Sequence, residues 1–217
     1  MTTALSDQGI QFAGGNVVDV RASYPTTGTY TAGDIVLESS TAARVSGWKR
    51  QTTGSNNVLN TDWIYFTSLN LSTSVATTSG TSIDYTGIPS WVKRITVLLN
   101  GVSTNGTSIV QVQIGSGFIL ATGYVSSYQQ GATGYSSTTG FALPGISTGD
   151  ARRGAMVITL VGSNIWVETI LADTNGASSG SGGGSVALSG TLDRLRLTTV
   201  NGTDTFDAGS VNIMYEG

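Results

Sequence analysis

Apolar and polar residues alternate with a period of two in segment after segment beyond residue 81. In "WVKRITVLL", Ile95, Val97 and Leu99 fall on one side, and Arg94 and Thr96 fall on the other. Further segments of this kind are "IVQVQI", "AMVITLV", "IWVETIL", "LDRLRLTTV" and "VNIMYE". Because successive side chains of a strand point to opposite faces, this pattern is typical of antiparallel sheets with one polar face and one face over a core.

The segment "IWVETIL" also alternates. It puts Ile165, Val167 and Leu171 on one face, and Trp166 and Glu168 on the other. Since Glu168 marks the second face as polar, we expect the first face to lie over the core.

Asn-Gly pairs mark the expected turns, because both residues tolerate the positive φ angles of a type I′ hairpin. Asn175-Gly176 follows the Trp166 strand, and Asn201-Gly202 follows the Leu195 strand. Two more pairs, at 100–101 and 105–106, lie only five residues apart. We expect residues 101–107 to form the tip of one hairpin between the Ile95 strand and the Val110 strand.

Composition supports a β-rich chain and excludes several kinds of chemistry. The chain holds 32 Thr, 27 Ser and 30 Gly, whereas only 11% of its residues are charged. Cys and His are both absent, so disulfides, thiolate metal sites and Ser-His-Asp catalysis are excluded. A net charge of −3 with two Lys makes nucleic acid an unexpected partner. No apolar run approaches the roughly 20 residues of a membrane span, so we expect no membrane insertion.

These patterns predict an all-β protein. Residues 1–66 are expected to form a small β-rich module, residues 67–80 a Ser/Thr-rich linker, and residues 81–217 a sandwich of two antiparallel sheets, jelly-roll-like in type. Trp48 and Trp63 form either the core of the small module or a platform on which a sugar stacks.

Two Ser- and Gly-rich stretches, 126–140 and 173–190, are predicted to be surface loops. The first carries aromatic and amide side chains, which are the groups that recognise sugars. The same Tyr residues could instead close one end of the sandwich. The candidate residues for receptor or sugar binding are Tyr124, Tyr128, Gln129, Gln130 and Tyr135.

Trp91, Arg152 and Arg153 are candidates for a subunit contact. Trp91 follows Pro89 at a strand start, where it is either exposed or fills a contact between chains. The two Arg residues could form salt bridges between chains or meet an anionic sugar.

The acidic residues near the end of the sequence permit a hydrolase. A pair of carboxylates held about 5–10 Å apart can cleave a glycosidic bond. However, Asp204 and Asp207 lie in the turn "NGTDTFDAG", where Asp commonly caps the backbone, and Asp193 adjoins Arg194. A Ca²⁺ site at Asp204 and Asp207 lacks the spaced acids of a full binding loop. We therefore expect no catalytic residue, no metal and no cofactor.

Two long blocks carry a resemblance to a known family. The blocks are "TSIDYTGIPSWVKRITVLLNGVSTNGTS" (81–108) and "LSGTLDRLRLTTVNGTDTFDAGSVNIMYE" (188–216). They resemble the C-terminal domain of tail-fibre and related virion proteins of tailed bacteriophages. The stretch "YTAGDIV…GWKRQTTG" (30–54) is similar to a short module of phage fibre and tailspike proteins.

The resemblance implies a structural virion protein, usually a homotrimer, with other virion proteins as partners. Its first module would dock on the particle, and its C-terminal sandwich would contact the host surface, including surface polysaccharide. The implied location is the virion, as a short tail fibre or receptor-binding fibre. A head fibre or capsid decoration protein is the alternative within the same class.

Overall fold

The structure is a computed structural model that describes residues 10–11, 15–39, 47–66, 69–176 and 178–217. All regular elements in these ranges are β-strands, which confirms the predicted all-β class. No helix long and apolar enough to cross a membrane occurs among these residues. The chain divides into two compact units between residues 68 and 69.

The first unit is one five-stranded sheet with the order β1-β2-β3-β4-β5. Its strands are β1 (Ile10–Gln11), β2 (Val17–Arg21), β3 (Ile35–Glu38), β4 (Gly47–Arg50) and β5 (Trp63–Phe66). Strands β2 and β3 pair in parallel, and the other neighbours pair antiparallel.

Aromatic packing forms the core of this unit. Trp63 is fully buried and Trp48 nearly so. The Trp63 ring meets Tyr30 edge-on, with 5.0 Å between centroids, and Arg50 lies over it at 5.4 Å. Its indole N–H donates to Asn57 Oδ1 at 3.0 Å. The two Trp residues are therefore core residues, as one of the two alternatives predicted, and they offer no exposed platform for a sugar.

The second unit contains two antiparallel sheets. The large sheet has the order β13-β12-β17-β16-β15-β9-β19-β6, with β7 also paired to β19. The small sheet has the order β11-β10-β18-β8, with β14 also paired to β10. The strands are β6 (Asn70–Leu71), β7 (Val75–Ala76), β8 (Ser82–Thr86), β9 (Arg94–Thr104), β10 (Val110–Ser116), β11 (Phe118–Ile119), β12 (Val125–Gln130), β13 (Thr133–Ser137), β14 (Phe141–Ala142), β15 (Arg152–Gly162), β16 (Ile165–Thr174), β17 (Ser178–Ala187), β18 (Arg194–Thr199) and β19 (Phe206–Glu216).

One apolar core joins the two sheets. The positions that alternation assigned to the core on β9, β10, β18 and β19 are buried, so a two-sheet sandwich is confirmed. They are Ile95, Val97, Leu99, Val110, Val112, Ile114, Leu195, Leu197, Val211 and Ile213. The jelly-roll connectivity stays a prediction.

The face of strand β16 that packs against the core is the opposite of the predicted one. Trp166 and Glu168 are buried, whereas Val167 and Leu171 are exposed. The alternation itself is present, but the assignment of its faces is wrong. The apolar residues lie on what we call the outer face, the face of the large sheet opposite the core.

The predicted loop 173–190 is also wrong, because most of it is strand β17. This strand pairs with β16 on one side and β12 on the other. A Cβ atom at Gly182 would lie 2.4 Å from the Ser127 carbonyl oxygen, and one at Gly184 would lie 2.6 Å from that of Val125. The glycines therefore allow β12 to pass close to β17.

The expected hairpin tip at 101–107 does not exist. Strand β9 continues through Asn100-Gly101 to Thr104 and pairs with β15 and β19, whereas β10 belongs to the small sheet. Gly101 has a φ of 69° where the register of both pairings shifts, so this Asn-Gly pair marks a β-bulge. Asn175 and Gly176, with φ of 59° and 70°, do form the predicted hairpin turn between β16 and β17.

The predicted linker belongs in part to the second unit. Within 67–80, residues 67 and 68 lie outside the described residues, and β6 and β7 pair with β19. From residue 69 onward the segment thus forms an edge of the large sheet.

Candidate functional site

The stretch 126–140 is largely a hairpin at one edge of the large sheet. Strands β12 and β13 meet at a turn in which Gly131 has a φ of 58°. Tyr128 pairs with Tyr135 across the hairpin, and their rings stack at 5.0 Å with 23° between planes. The loop prediction is wrong, but it located two aromatic residues that the fold brings together.

Two open hollows adjoin this hairpin, and Tyr135 lines both of them. The first hollow has a volume of about 590 Å³, and hydroxyl and amide side chains from β12, β13 and β17 surround it. The second has a volume of about 360 Å³ and is lined by Asp150 and Asn175 among others. We call Tyr135 and these two hollows the hairpin site.

Tyr124 does not belong to the hairpin site. Its side chain is buried, its ring meets Phe141 edge-on at 5.0 Å, and its hydroxyl accepts the Ile114 N–H at 2.8 Å. Burial raises the pKa of the Tyr124 hydroxyl well above its usual range. Tyr124 thus closes the sandwich, which is the alternative that its amphipathic chemistry allowed.

Tyr128 is the buried residue on which the Tyr135 ring packs. Its side chain is buried, and its hydroxyl has no hydrogen-bond partner within the described chain. Burial raises the pKa of this hydroxyl to about 12, so it stays protonated at neutral pH. The ring stacks on Tyr135 and holds it in place.

The two Gln residues lie on opposite faces of β12. Gln129 is exposed and lines the first hollow. The Gln130 amide donates to Thr174 Oγ1 at 3.0 Å and accepts the Gly145 N–H at 2.9 Å. Gln129 donates to the Gly131 carbonyl of its own hairpin, at 3.4 Å, and its side chain is accessible to a ligand, whereas Gln130 mainly ties the hairpin to its neighbours.

Arg152 is buried, with 1% of its surface exposed, and cannot reach another chain. Its guanidinium donates to the carbonyl oxygens of Pro144 at 2.7 Å, Gly145 at 2.6 Å and Asp150 at 3.0 Å. Burial lowers the pKa of Arg152 to about 10, with Asp150 acting against this. The expected subunit contact is wrong for this residue, which instead anchors the segment before β15.

The other two contact candidates are partly accessible. Arg153 is exposed and donates to the Ala151 carbonyl at 3.1 Å. Trp91 is half-buried in a turn, with its ring 5.9 Å from that of Tyr215. Both are accessible to a second chain, and the subunit contact stays a prediction for these two residues.

The carboxylates named for catalysis are held by neighbours. Asp204 accepts the Ser108 N–H at 2.9 Å and the Asn201 amide at 2.6 Å. Asp207 accepts the Ser103 hydroxyl, and Asp193 forms a two-point pair with Arg194 at 2.7 and 3.0 Å. The described residues contain no group of three or more acids that could hold a metal ion.

Asp150 and Asn175 are hairpin-site residues that sequence reasoning missed. Asn175 Nδ2 donates to Asp150 Oδ1 at 3.1 Å, although the two are 25 positions apart. The Asn-Gly pattern assigns Asn175 only to a turn, and no sequence pattern singles out Asp150. Their contact depends on the pairing of β15 with β16, which no local pattern shows.

The hairpin site can hold a polar ligand against one aromatic side chain. Hydroxyl, amide and carboxylate groups surround Tyr135, and no nucleophile–base pair is present among the lining residues. No protein-family model, curated protein or solved structure matches this chain. The resemblance to phage fibre proteins therefore stays a hypothesis.

Proposed function

We propose that this chain is a non-enzymatic structural protein of a bacteriophage virion, a short tail fibre or receptor-binding fibre that contacts the host surface. The outer face of the large sheet is the observation that carries this proposal. A structural protein of a particle must associate with copies of itself or with neighbours, and this face has the composition of such a contact.

The outer face is apolar or neutral across its middle. Leu171 is 65% exposed, and Val157 and Leu98 lie near it on the same face. Strand pairing puts Ser181 beside Leu171 on one side and Ala155 on the other. A strip of six strands about eight residues long covers roughly 700 Å². This is close to the ~800 Å² that each partner buries in a stable interface.

Among the residues that the structure describes, the charged side chains of this strip lie at its two ends. Arg153 and Asp173 pair in register at one end, and Arg94 meets Glu216 at 3.1 Å at the other. Depletion of charge at the centre with charge at the rim is the pattern of a protein interface. Copies of the same chain are the proposed partners, in line with the homotrimers that the resemblance implies.

The hairpin site supplies the proposed contact with host polysaccharide. Tyr135 offers a ring, and Asp150, Asn175 and the hydroxyls that line the second hollow offer hydrogen bonds, which suits a sugar. The hydrolase alternative gains no support, because Asp193, Asp204 and Asp207 are engaged in turns and ion pairs.

Labelling intact particles with an antibody against this chain tests the proposal. We expect electron microscopy to place the label at the tail, and purified protein to compete with particles for host cells. The variant Tyr135→Ala should lose this competition, whereas Val58→Ala, an exposed position of the first unit, should keep it.

Each other outcome has a defined meaning. Label on the head would replace the proposal with the head-fibre or decoration alternative. Particles without label would overturn the virion assignment. Shortening of host polysaccharide by the purified chain would overturn the non-enzymatic assignment.

A further inference from the structure

A third hollow lies against the small sheet, away from the hairpin site. Its volume is about 300 Å³, and strands β8, β10 and β18 contribute to its lining. Gln111 and Gln113 of β10 lie on the face opposite the core residues Val110 and Val112. We call this the amide hollow.

The two Gln side chains are fixed, yet each keeps one free end. Gln111 Oε1 accepts the Thr139 hydroxyl at 2.9 Å, and Gln113 Nε2 donates to the Thr139 carbonyl at 2.8 Å. Both side chains are buried, with 2% and 6% of their surface exposed. Within the described residues no partner takes up Gln111 Nε2 or Gln113 Oε1. The floor of the hollow therefore contains one donor, Gln111 Nε2, and one acceptor, Gln113 Oε1, that can bind a ligand.

The remaining polar groups of the amide hollow carry no net charge. Arg196 Nε and Nη2 donate to Asp84 at 2.6 and 2.7 Å, so the guanidinium is neutralised, and its Nη1 has no partner among the described residues. Thr198 and Ser82 add hydroxyl groups. Among the described residues, no other charged side chain lines the hollow, so neither an anion nor a cation has a favoured position there.

The geometry points to the amide hollow as a binding site for a neutral saccharide unit. We propose that a pyranose ring lies along β10 with its hydroxyl groups bound to the free ends of Gln111 and Gln113. Two residues on one face of a strand are about 7 Å apart, which matches the width of one such ring. A neutral sugar satisfies both a donor and an acceptor without leaving a charge unpaired. Only the biological role of this site rests on the proposed function.

Side-chain amide resonances in ¹H–¹⁵N NMR spectra test the site directly. Methyl glucoside, methyl galactoside and N-acetylglucosamine, each titrated to about 50 mM because single sugars bind weakly, are the probes, and glucuronate is the charged comparison. We expect at least one neutral sugar to shift the amide signals of Gln111 and Gln113. Ala121→Trp, at an exposed position of the hollow, should abolish the shift, whereas Ala76→Trp, at an exposed position elsewhere, should leave it unchanged.

The wild-type titration alone can overturn the proposal. Absence of a shift with every neutral sugar, or a shift with glucuronate only, would do so, as would an equal shift in the Ala121→Trp protein. Tyr135→Ala should not alter the response, because the hairpin site is separate. Since the test uses purified chain, a result against the particle assignment leaves this site standing, and a result against this site leaves the particle assignment standing.

Discussion

Glu168 places a carboxyl group in the core of the second unit, and this predicts an unusual pH dependence of stability. It is 3% exposed, and neither carboxylate oxygen has a hydrogen-bond partner among the described residues. Burial raises the pKa of Glu168 to about 8, whereas the unfolded chain has the ordinary value near 4.5. Between these values the folded protein holds a proton that the unfolded chain has released. The free energy of unfolding should therefore fall by about 1 kcal/mol per pH unit from pH 5 to pH 8.

The variant Glu168→Gln isolates this effect. It keeps the shape but cannot ionise, so its free energy of unfolding should change less across this range. Glu216→Gln, which alters only a surface pair with Arg94, should retain the wild-type slope. Urea unfolding at pH 5, 6.5 and 8 provides the measurement. Equal slopes in Glu168→Gln and wild-type protein would show that Glu168 ionises normally.

Arg152 makes a second prediction at the scale of one residue. Its guanidinium holds carbonyl groups of Pro144, Gly145 and Asp150, and Lys cannot reach all of them from one ammonium group. Arg152→Lys should lower the free energy of unfolding by about 2–4 kcal/mol, because buried acceptors lose their donors. The neighbouring exposed change Arg153→Lys should cost less than about 0.5 kcal/mol. Similar costs for both would contradict the anchoring role.

The glycines of β17 control the packing of a whole element. Gly182→Ala would press a methyl group against the Ser127 carbonyl and the Tyr128 Cβ, at 2.4 and 2.7 Å. We expect a loss of about 2 kcal/mol or more in thermal or urea unfolding, together with a disturbed Tyr128–Tyr135 stack. Gly134→Ala on the adjoining hairpin has no atom within 4 Å and is the matched control. A stable Gly182→Ala protein would mean that β12 and β17 are further apart than described.

Elements were predictable where local pattern and tertiary pairing agree. The Ile95 and Val110 segments became strands with the expected buried faces, since alternation alone sets their sides. For β16 the pattern has apolar residues on both faces, so only the neighbouring strands decide which face is buried. The prediction for β17 was wrong because a flexible linker and a closely packed strand can have the same Gly and Ser composition.

The candidate site shows the same limit. Its aromatic and amide composition identified Tyr128 and Tyr135, which stack across the hairpin, and Gln129, which lines the first hollow from the opposite face of β12. Composition could not distinguish Tyr124, which is a buried core residue, from the Tyr residues of the hairpin site. Asp150 and Asn175 needed the pairing of distant strands, and single-sequence periodicity carries no information about that.

At the scale of the whole molecule, we expect the chain to self-associate through the outer face of the large sheet. One added charge on this face should weaken that association. Leu171→Lys would place an ammonium group in the charge-free part of the proposed interface, where desolvation opposes its burial. This variant should weaken association at least tenfold and leave the fold intact, because the Leu171 side chain already faces solvent in one chain. Sedimentation at micromolar concentration compares this variant with wild-type protein. Val58→Lys, an exposed apolar position of the first unit, should associate as wild type does. A wild-type chain that sediments as a monomer would reject the interface, and loss of association in Val58→Lys alone would assign it to the first unit.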